Sequence, residues 1–252
     1  MEVSPRLGWR LPELAGPRHG PLPYFLLAQT AITGMVDAVS VLRLGRVFVA
    51  NMTGNIVFIG FSLARAPGIS LVASLVALAG FLVGAGAGGW LIASLAVDRG
   101  RLLQVTAATE TVLLLVATVL TAFALPRSAF VVYVLAALLA LAMGLQNAAA
   151  RKLAVPDQTT TVLTMTLTGI AADLRTGERP VAVLRRLLSV AIMLAGAAVG
   201  ALLVLGGNPA LSLLIATVVA AVVVGGLGVV LRDEHPWRRA QPGAQPPSSP
   251  RT

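Results

Sequence analysis

The sequence predicts an all-α polytopic membrane protein, and three observations carry that reading. Hydrophobic residues make up 57% of the 252 residues. Charged residues make up only 12%, about half the share of a soluble domain. The apolar residues fall in long runs, and the basic ones sit in short groups between them, such as Arg99 and Arg101, Arg151 and Lys152, and Arg185 and Arg186. A soluble globule of this length would lack the charge to cover itself, whereas membrane-flanking anchors look like this. The net charge of +9 is therefore not read as a nucleic-acid footprint, which would cluster on one face. The chain has no cysteine, so disulfides, thiolate metal sites and thiol catalysis are excluded. Both histidines, His19 and His235, lie in the tails, which leaves no histidine for a membrane relay.

Taken in order, residues 1–21 carry Arg6, Arg10 and Arg18 among four prolines and read as a disordered cytoplasmic tail leading into a retained helix, not a cleaved signal. Eight apolar segments follow: 22–42, 47–64, 70–97 and 102–125, then 129–149, 159–172, 187–205 and 210–231. Spanning the hydrocarbon takes about 20 residues of helix. Six segments meet or approach that length. Segment 47–64 is marginal, with Asn51-Met-Thr-Gly-Asn55 inside it, and segment 159–172 is short and threonine-rich. Residues 232–252 are proline-rich and read as a second disordered cytoplasmic tail.

The order of segments suggests two tandem membrane repeats of about 110 residues, 22–125 and 129–231, each with three full transmembrane helices and one short polar membrane segment. Gly34-x-x-Asp37-Ala38 aligns with Gly144-x-x-Asn147-Ala148, and Thr53-Gly54-Asn55 lies opposite Thr164-Met165-Thr166. Gly80, Gly84 and Gly88 recur at four-residue spacing, as do Gly196 and Gly200, which suits close helix packing within a monomer or in a homo-oligomer. Six spans place 15 Lys and Arg on the side of the termini and 4 on the other; eight full spans, the alternative, divide them 13 to 6. Both put the termini in the cytoplasm. With six spans each repeat has an odd number of crossings, so the copies are inverted, as in many secondary transporters.

The stretch from Gly34 to Gly60, GMVDAVSVLRLGRVFVANMTGNIVFIG, and the stretch from Met143 to Leu174, which opens MGLQNAAARK, resemble the two signatures of the YoaK-like family of bacterial inner-membrane proteins. The resemblance covers nearly everything between the tails and implies a multi-pass protein of the bacterial inner membrane, with no established substrate or reaction. Relatives commonly read Thr-Gly-Thr in the second block. This chain has Met165 at the glycine position, which implies a milder helix break there.

Asp37 is the sharpest candidate, because a carboxylate within a membrane helix costs at least a few kcal/mol. It is expected near the middle or inner third of its helix, sharing a face with Thr30, Thr33 and Gly34, either lining an ion, proton or solute site, or serving as a structural acid neutralised by an Arg such as Arg43 or Arg46 or kept protonated. Asn51 and Asn55 are expected on one face beside Thr53, with Gly54 permitting an unwound backbone whose carbonyls bind a cation or polar solute. Gln146, Asn147 and Thr164 are their counterparts in the second repeat, and the two sets together suggest one polar site between the repeats. Glu110 is expected near the interface, paired with Arg99 or Arg101. The leading function is a transporter or channel for a small solute, cation or proton, with no cofactor or metal and the lipid bilayer as partner. An accessory or scaffolding membrane protein is the alternative. An intramembrane enzyme is disfavoured, since there is no cysteine, no membrane histidine, no G-x-S-x-G and no second acid in the signatures.

Overall fold

The computed structural model describes residues 19–95, 97–124, 128–155, 168 and 180–239. Among them are seven α-helices: α1 (Leu22–Arg43), α2 (Met52–Leu63), α3 (Leu71–Leu95), α4 (Arg99–Ala124), α5 (Ala129–Leu153), α6 (Pro180–Leu205) and α7 (Pro209–Val230). All but α2 are long and apolar enough to cross a membrane. The expected segment 159–172 lies outside the described residues except for Thr168. The helix boundaries follow local chemistry. Pro21 and Pro23 bracket the start of α1, where a missing N–H costs nothing. Ser128 caps α5 by accepting from the Val131 N–H, and Ala154 ends it in a left-handed conformation.

Two helix pairs form the closest contacts, α1 with α6 and α3 with α5. In each, glycines bring backbones together. A methyl group on Gly34 would meet the carbonyl of Met193 and the amide of Ala197, and one on Gly144 the carbonyl of Phe81 and the amide of Ala85. Gly196 lies against Ala31 and Gly200 against Met35, while Gly84 lies against Leu141 and Gly88 against Leu145. The partners advance in step, so each pair runs parallel. Helices α4 and α7 pack antiparallel: Gly100 is beside Leu231, Gln104 beside Gly228, and the hydroxyls of Thr118 and Thr217 are 3.2 Å apart.

These directions fix the connectivity. The chain leaving α1 at Gly45 and Arg46 touches Ser70, Ala73 and Gly68 at the start of α3. Residues 44–70, with α2 inside them, therefore return to the end of the bundle they left. An open recess at that end joins Arg43, Thr121, Val132, Asn208 and Pro209. The other end holds the start of α1, the α3–α4 turn and residues 232–239. Where the sequence suggests a disordered tail, residues 236–238 form a turn that seats Trp237 against Gly20 and Gly100. Arg238 pairs with Asp98. Partial burial pushes the Asp98 carboxyl up, but its bonds from Arg238 and from the Arg101 N–H prevail and hold it below the usual carboxylate range.

Enclosure is uneven. In α1, 72% of the apolar stretch is buried, against 22–50% in the other five long helices. Those five turn large side chains outward, among them Leu82, Phe123, Leu194 and Val222, which suits contact with lipid. The close approaches give a test. Gly84→Ala and Gly196→Ala should each lower the thermal midpoint of detergent-purified protein, because overpacking costs about 1–3 kcal/mol. Gly86→Ala adds a carbon with nothing within 4 Å and should leave the midpoint unchanged. Equal midpoints for all three would contradict the packing described.

A buried polar stripe and a clamped loop

Eight residues join α1 to α2, and they enter the protein rather than skirting it. Leu44, Val47, Val49 and Ala50 are all buried in the main apolar core. Such an irregular backbone has no ladder partner, and away from water each unpaired N–H costs about 1–3 kcal/mol. Two side chains supply what is missing. Asp37 Oδ1 accepts from the N–H groups of Val49 and Ala50, each at 3.3 Å. Asn55 uses both ends of its amide on one residue: Oδ1 accepts from the Phe48 N–H at 2.9 Å, and Nδ2 donates to the Phe48 carbonyl. Three successive N–H groups, those of residues 48 to 50, are thus held by two side chains that the sequence singles out.

The remaining candidates divide. Asn51 and Asn55 do not share a helical face. Asn51 precedes the first residue of α2 and is exposed, whereas Asn55 is wholly buried. Thr53 is also exposed. Gly54 does not unwind the chain; it lies within α2, against the Phe48 ring. The break falls earlier, where Gly45 and Arg46 adopt positive φ. Arg43 does not neutralise Asp37; its guanidinium donates to the carbonyl of Val204. Asp37 lies past the middle of α1, towards its C-terminal end, about 22 Å along the axis from Leu22.

Gln146 and Asn147 are six or seven residues from the far end of α5, which runs opposite to α1. Asp37 and Asn147 therefore sit towards opposite ends of the bundle, not in one shared site. Asn147 Nδ2 donates to the Met143 carbonyl. Thr164 lies outside the described residues.

Gln146 meets α1 in the interior. Its Nε2 donates to the Gln29 carbonyl and to Thr33 Oγ1, both at 3.1 Å. Gln29 Nε2 in turn donates to Glu110 Oε2 at 2.8 Å. Gln29, Thr33 and Asp37 follow at steps of four, so they form one stripe along the most enclosed helix. Exposure is 1% for Gln29 and Thr33, 8% for Asp37 and 0% for Glu110. Glu110 is thus not an interfacial partner of Arg99 or Arg101. Arg99 donates to the Leu153 carbonyl, and α4 already begins at Arg99, which sets Glu110 three turns deep. Sequence reasoning missed Gln29 and Glu110 as site residues. The four-residue spacing from Gln29 to Asp37 is the signal that points to Gln29.

Residues 25–226 match the family described as a protein of unknown function, DUF1275. The chain belongs to that family. It is 38% identical over 152 residues to the UPF0700 transmembrane protein YoaK of Bacillus subtilis (strain 168), a match spanning 59% of this chain and 64% of that protein. The chain thus aligns with just under two thirds of that relative's length. No solved structure matches. The resemblance carried by the NMTGN and GLQNA blocks is borne out. With a transmembrane relative and six long apolar helices, this DUF1275 chain is a multi-pass membrane protein. The matched stretch of the family takes in the whole polar stripe, from Gln29 to Asn147.

The clamp predicts a local opening. Asp37→Ala should speed amide exchange in residues 48–50, read by hydrogen–deuterium exchange mass spectrometry on peptides covering 44–55. Asp37→Asn keeps an acceptor oxygen and should change it far less. Exchange in Asp37→Ala no faster than in the native chain would show that the carboxylate does not hold the loop.

Proposed function

We propose that this chain moves a small solute or ion across the bacterial inner membrane, as a transporter or channel, without enzymatic activity and with both termini in the cytoplasm. The observation that carries the reading is the stripe Gln29–Thr33–Asp37, joined to Gln146, on the helix most enclosed by the others. Polar side chains are expensive at this depth and, where they face a bundle interior, mark substrate and ion pathways. The charge distribution supports the orientation, since 15 of the 19 Lys and Arg fall on the side of the termini in a six-span path.

An inverted repeat underlies the path in this reading. Shifting the Gly144 contacts by about 110 residues gives those of Gly34, with Phe81 and Ala85 corresponding to Met193 and Ala197. The parallel pairs α1–α6 and α3–α5 exchange under the same shift. The antiparallel course of α4 and α7 suits an odd number of crossings per copy and not eight full spans. By the same correspondence, Asp37 near one face answers to Asn147 near the other, so each face has its own polar half-site with Thr33 and Gln146 between them.

A second reading, an accessory or scaffolding protein, is favoured by one observation: Asp37 and Asn55 bind backbone, which a purely structural role would explain.

The chain is naturally free of cysteine, so single reporters separate these readings. Thr33→Cys should react with a charged, membrane-impermeant methanethiosulfonate reagent at least tenfold faster than Ala107→Cys, which is equally buried but lies in an apolar cluster. A transport path must admit water and solute to the stripe; a scaffold seals it, and equal protection of the two sites would remove the transport reading. For topology, Ala66→Cys and Asn208→Cys should both label from outside intact cells with an impermeant maleimide. Labelling at 208 with protection at 66, in cells that label at 66 once permeabilised, would restore eight spans.

A further inference from the structure

The stripe ends at a pair of groups whose hydrogen bonding is incomplete. Gln29 and Glu110 face each other across α1 and α4, joined by the bond from Gln29 Nε2 to Glu110 Oε2. The other oxygen of each, Gln29 Oε1 and Glu110 Oε1, is buried and has no partner. Both unmatched atoms are acceptors, so neither can satisfy the other. The missing element is one positively polarised hydrogen between them.

Among the described residues, no cation lies beside the pair; on α6, Arg185 and Arg186 precede the Gly196–Ala31 contact by eleven and ten residues. Helix α7, the main neighbour of α4, has no charged residue, and neither has α3. On α5, Arg151 and Lys152 are in the last turn and exposed. On α1, Arg43 is fourteen residues beyond Gln29 and bonded to Val204, and Asp37 is two turns along the stripe and bonded to the loop. On α4 itself, Arg101 lies about 13 Å away along the axis, and Arg99, bonded to the Leu153 carbonyl, lies further still. Among the described residues Glu110 has no ion pair. An ionised carboxylate held by a single neutral amide at this depth is strongly disfavoured.

We propose that Glu110 and Gln29 form a membrane-buried proton-binding site, in which one proton on Glu110 Oε1 is donated to Gln29 Oε1. Binding turns the carboxylate into a neutral acid and makes the contact reciprocal: the amide donates to one carboxyl oxygen and accepts from the other. A metal cation would need several more oxygens around it; a proton needs only these two. Gln29 also offers its backbone carbonyl to Gln146, which donates to Thr33, so the site is joined to the stripe through Gln146. That the proton couples to solute movement rests on the transport reading above; the site itself does not.

Infrared spectroscopy of the full chain in phosphatidylcholine vesicles tests this. At neutral pH the native chain should show the carbonyl stretch of a protonated carboxyl group. Glu110→Gln should abolish it, and Asp37→Asn should retain it. Gln29→Leu should move it to higher frequency, because the carboxyl loses its amide partner, and this variant serves if Glu110→Gln does not fold. Absence of the band at neutral pH, or its survival in Glu110→Gln, would overturn the site. So would loss of the band when sodium chloride replaces choline chloride at constant pH, since a metal cation would then be the ligand. The two proposals fail separately. A band with Thr33→Cys protected leaves the proton site and removes transport; a reactive Thr33→Cys without the band does the reverse.

Discussion

A membrane core has no water to complete a hydrogen bond, so every polar atom there depends on the protein, and the interior of this bundle is organised around that requirement. Helix hydroxyls answer it locally. Thr30, Thr106, Thr118 and Thr217 each donate to a carbonyl one turn back, the usual solution for such residues. The irregular backbone of residues 48–50 cannot answer it locally, and borrows Asp37 and Asn55 from the helices on either side. Of the four buried side-chain oxygens left without a partner among the described residues, two are the Oε1 atoms of Gln29 and Glu110. Those two face one another across α1 and α4 as acceptors on a single contact.

The class of the fold and most of its helices were legible because hydropathy and length are local properties. The starts of α1 and α5, and the short polar nature of α2, follow directly from Pro21, Ser128 and Asn51-Met-Thr-Gly-Asn55. The glycine spacing was legible as packing but not as pairing. Gly34 and Gly196 are far apart in sequence, and nothing in a period of four says which helix will be the partner. The site was legible by residue type more than by role. Asp37 and Asn55 stand out as polar residues in apolar segments, yet their partners are backbone N–H groups, which no side-chain pattern reveals. Glu110 looked interfacial because hydropathy begins its segment at Leu102, while the helix starts at Arg99 and carries the carboxylate deeper. Gln29 hardly shows in the sequence, because an uncharged amide scarcely lowers hydropathy; its meaning depends on α4 lying opposite.

The pairing also constrains how such a bundle opens. The two tightest contacts join a helix from the first half of the chain to one from the second, α1 to α6 and α3 to α5. Backbone against backbone at Gly34, Gly84, Gly144 and Gly196 leaves no room for sliding. The sequence halves therefore cannot rock as rigid bodies. Helix α7 packs more closely on α4 than on α1 or α6, so the pairs that hold together are α1 with α6, α3 with α5 and α4 with α7. Of the contacts that join these pairs, that of α1 with α5 is light. Across that lightly packed seam run the bonds from Gln146 to Gln29 and Thr33, and from Gln29 to Glu110. A seam closed by a few hydrogen bonds, beside a firm contact at α4 and α7, separates at far less cost than one closed by packed methyl groups. The groups that close it are also those whose charge and hydrogen bonding a proton at Glu110 would change.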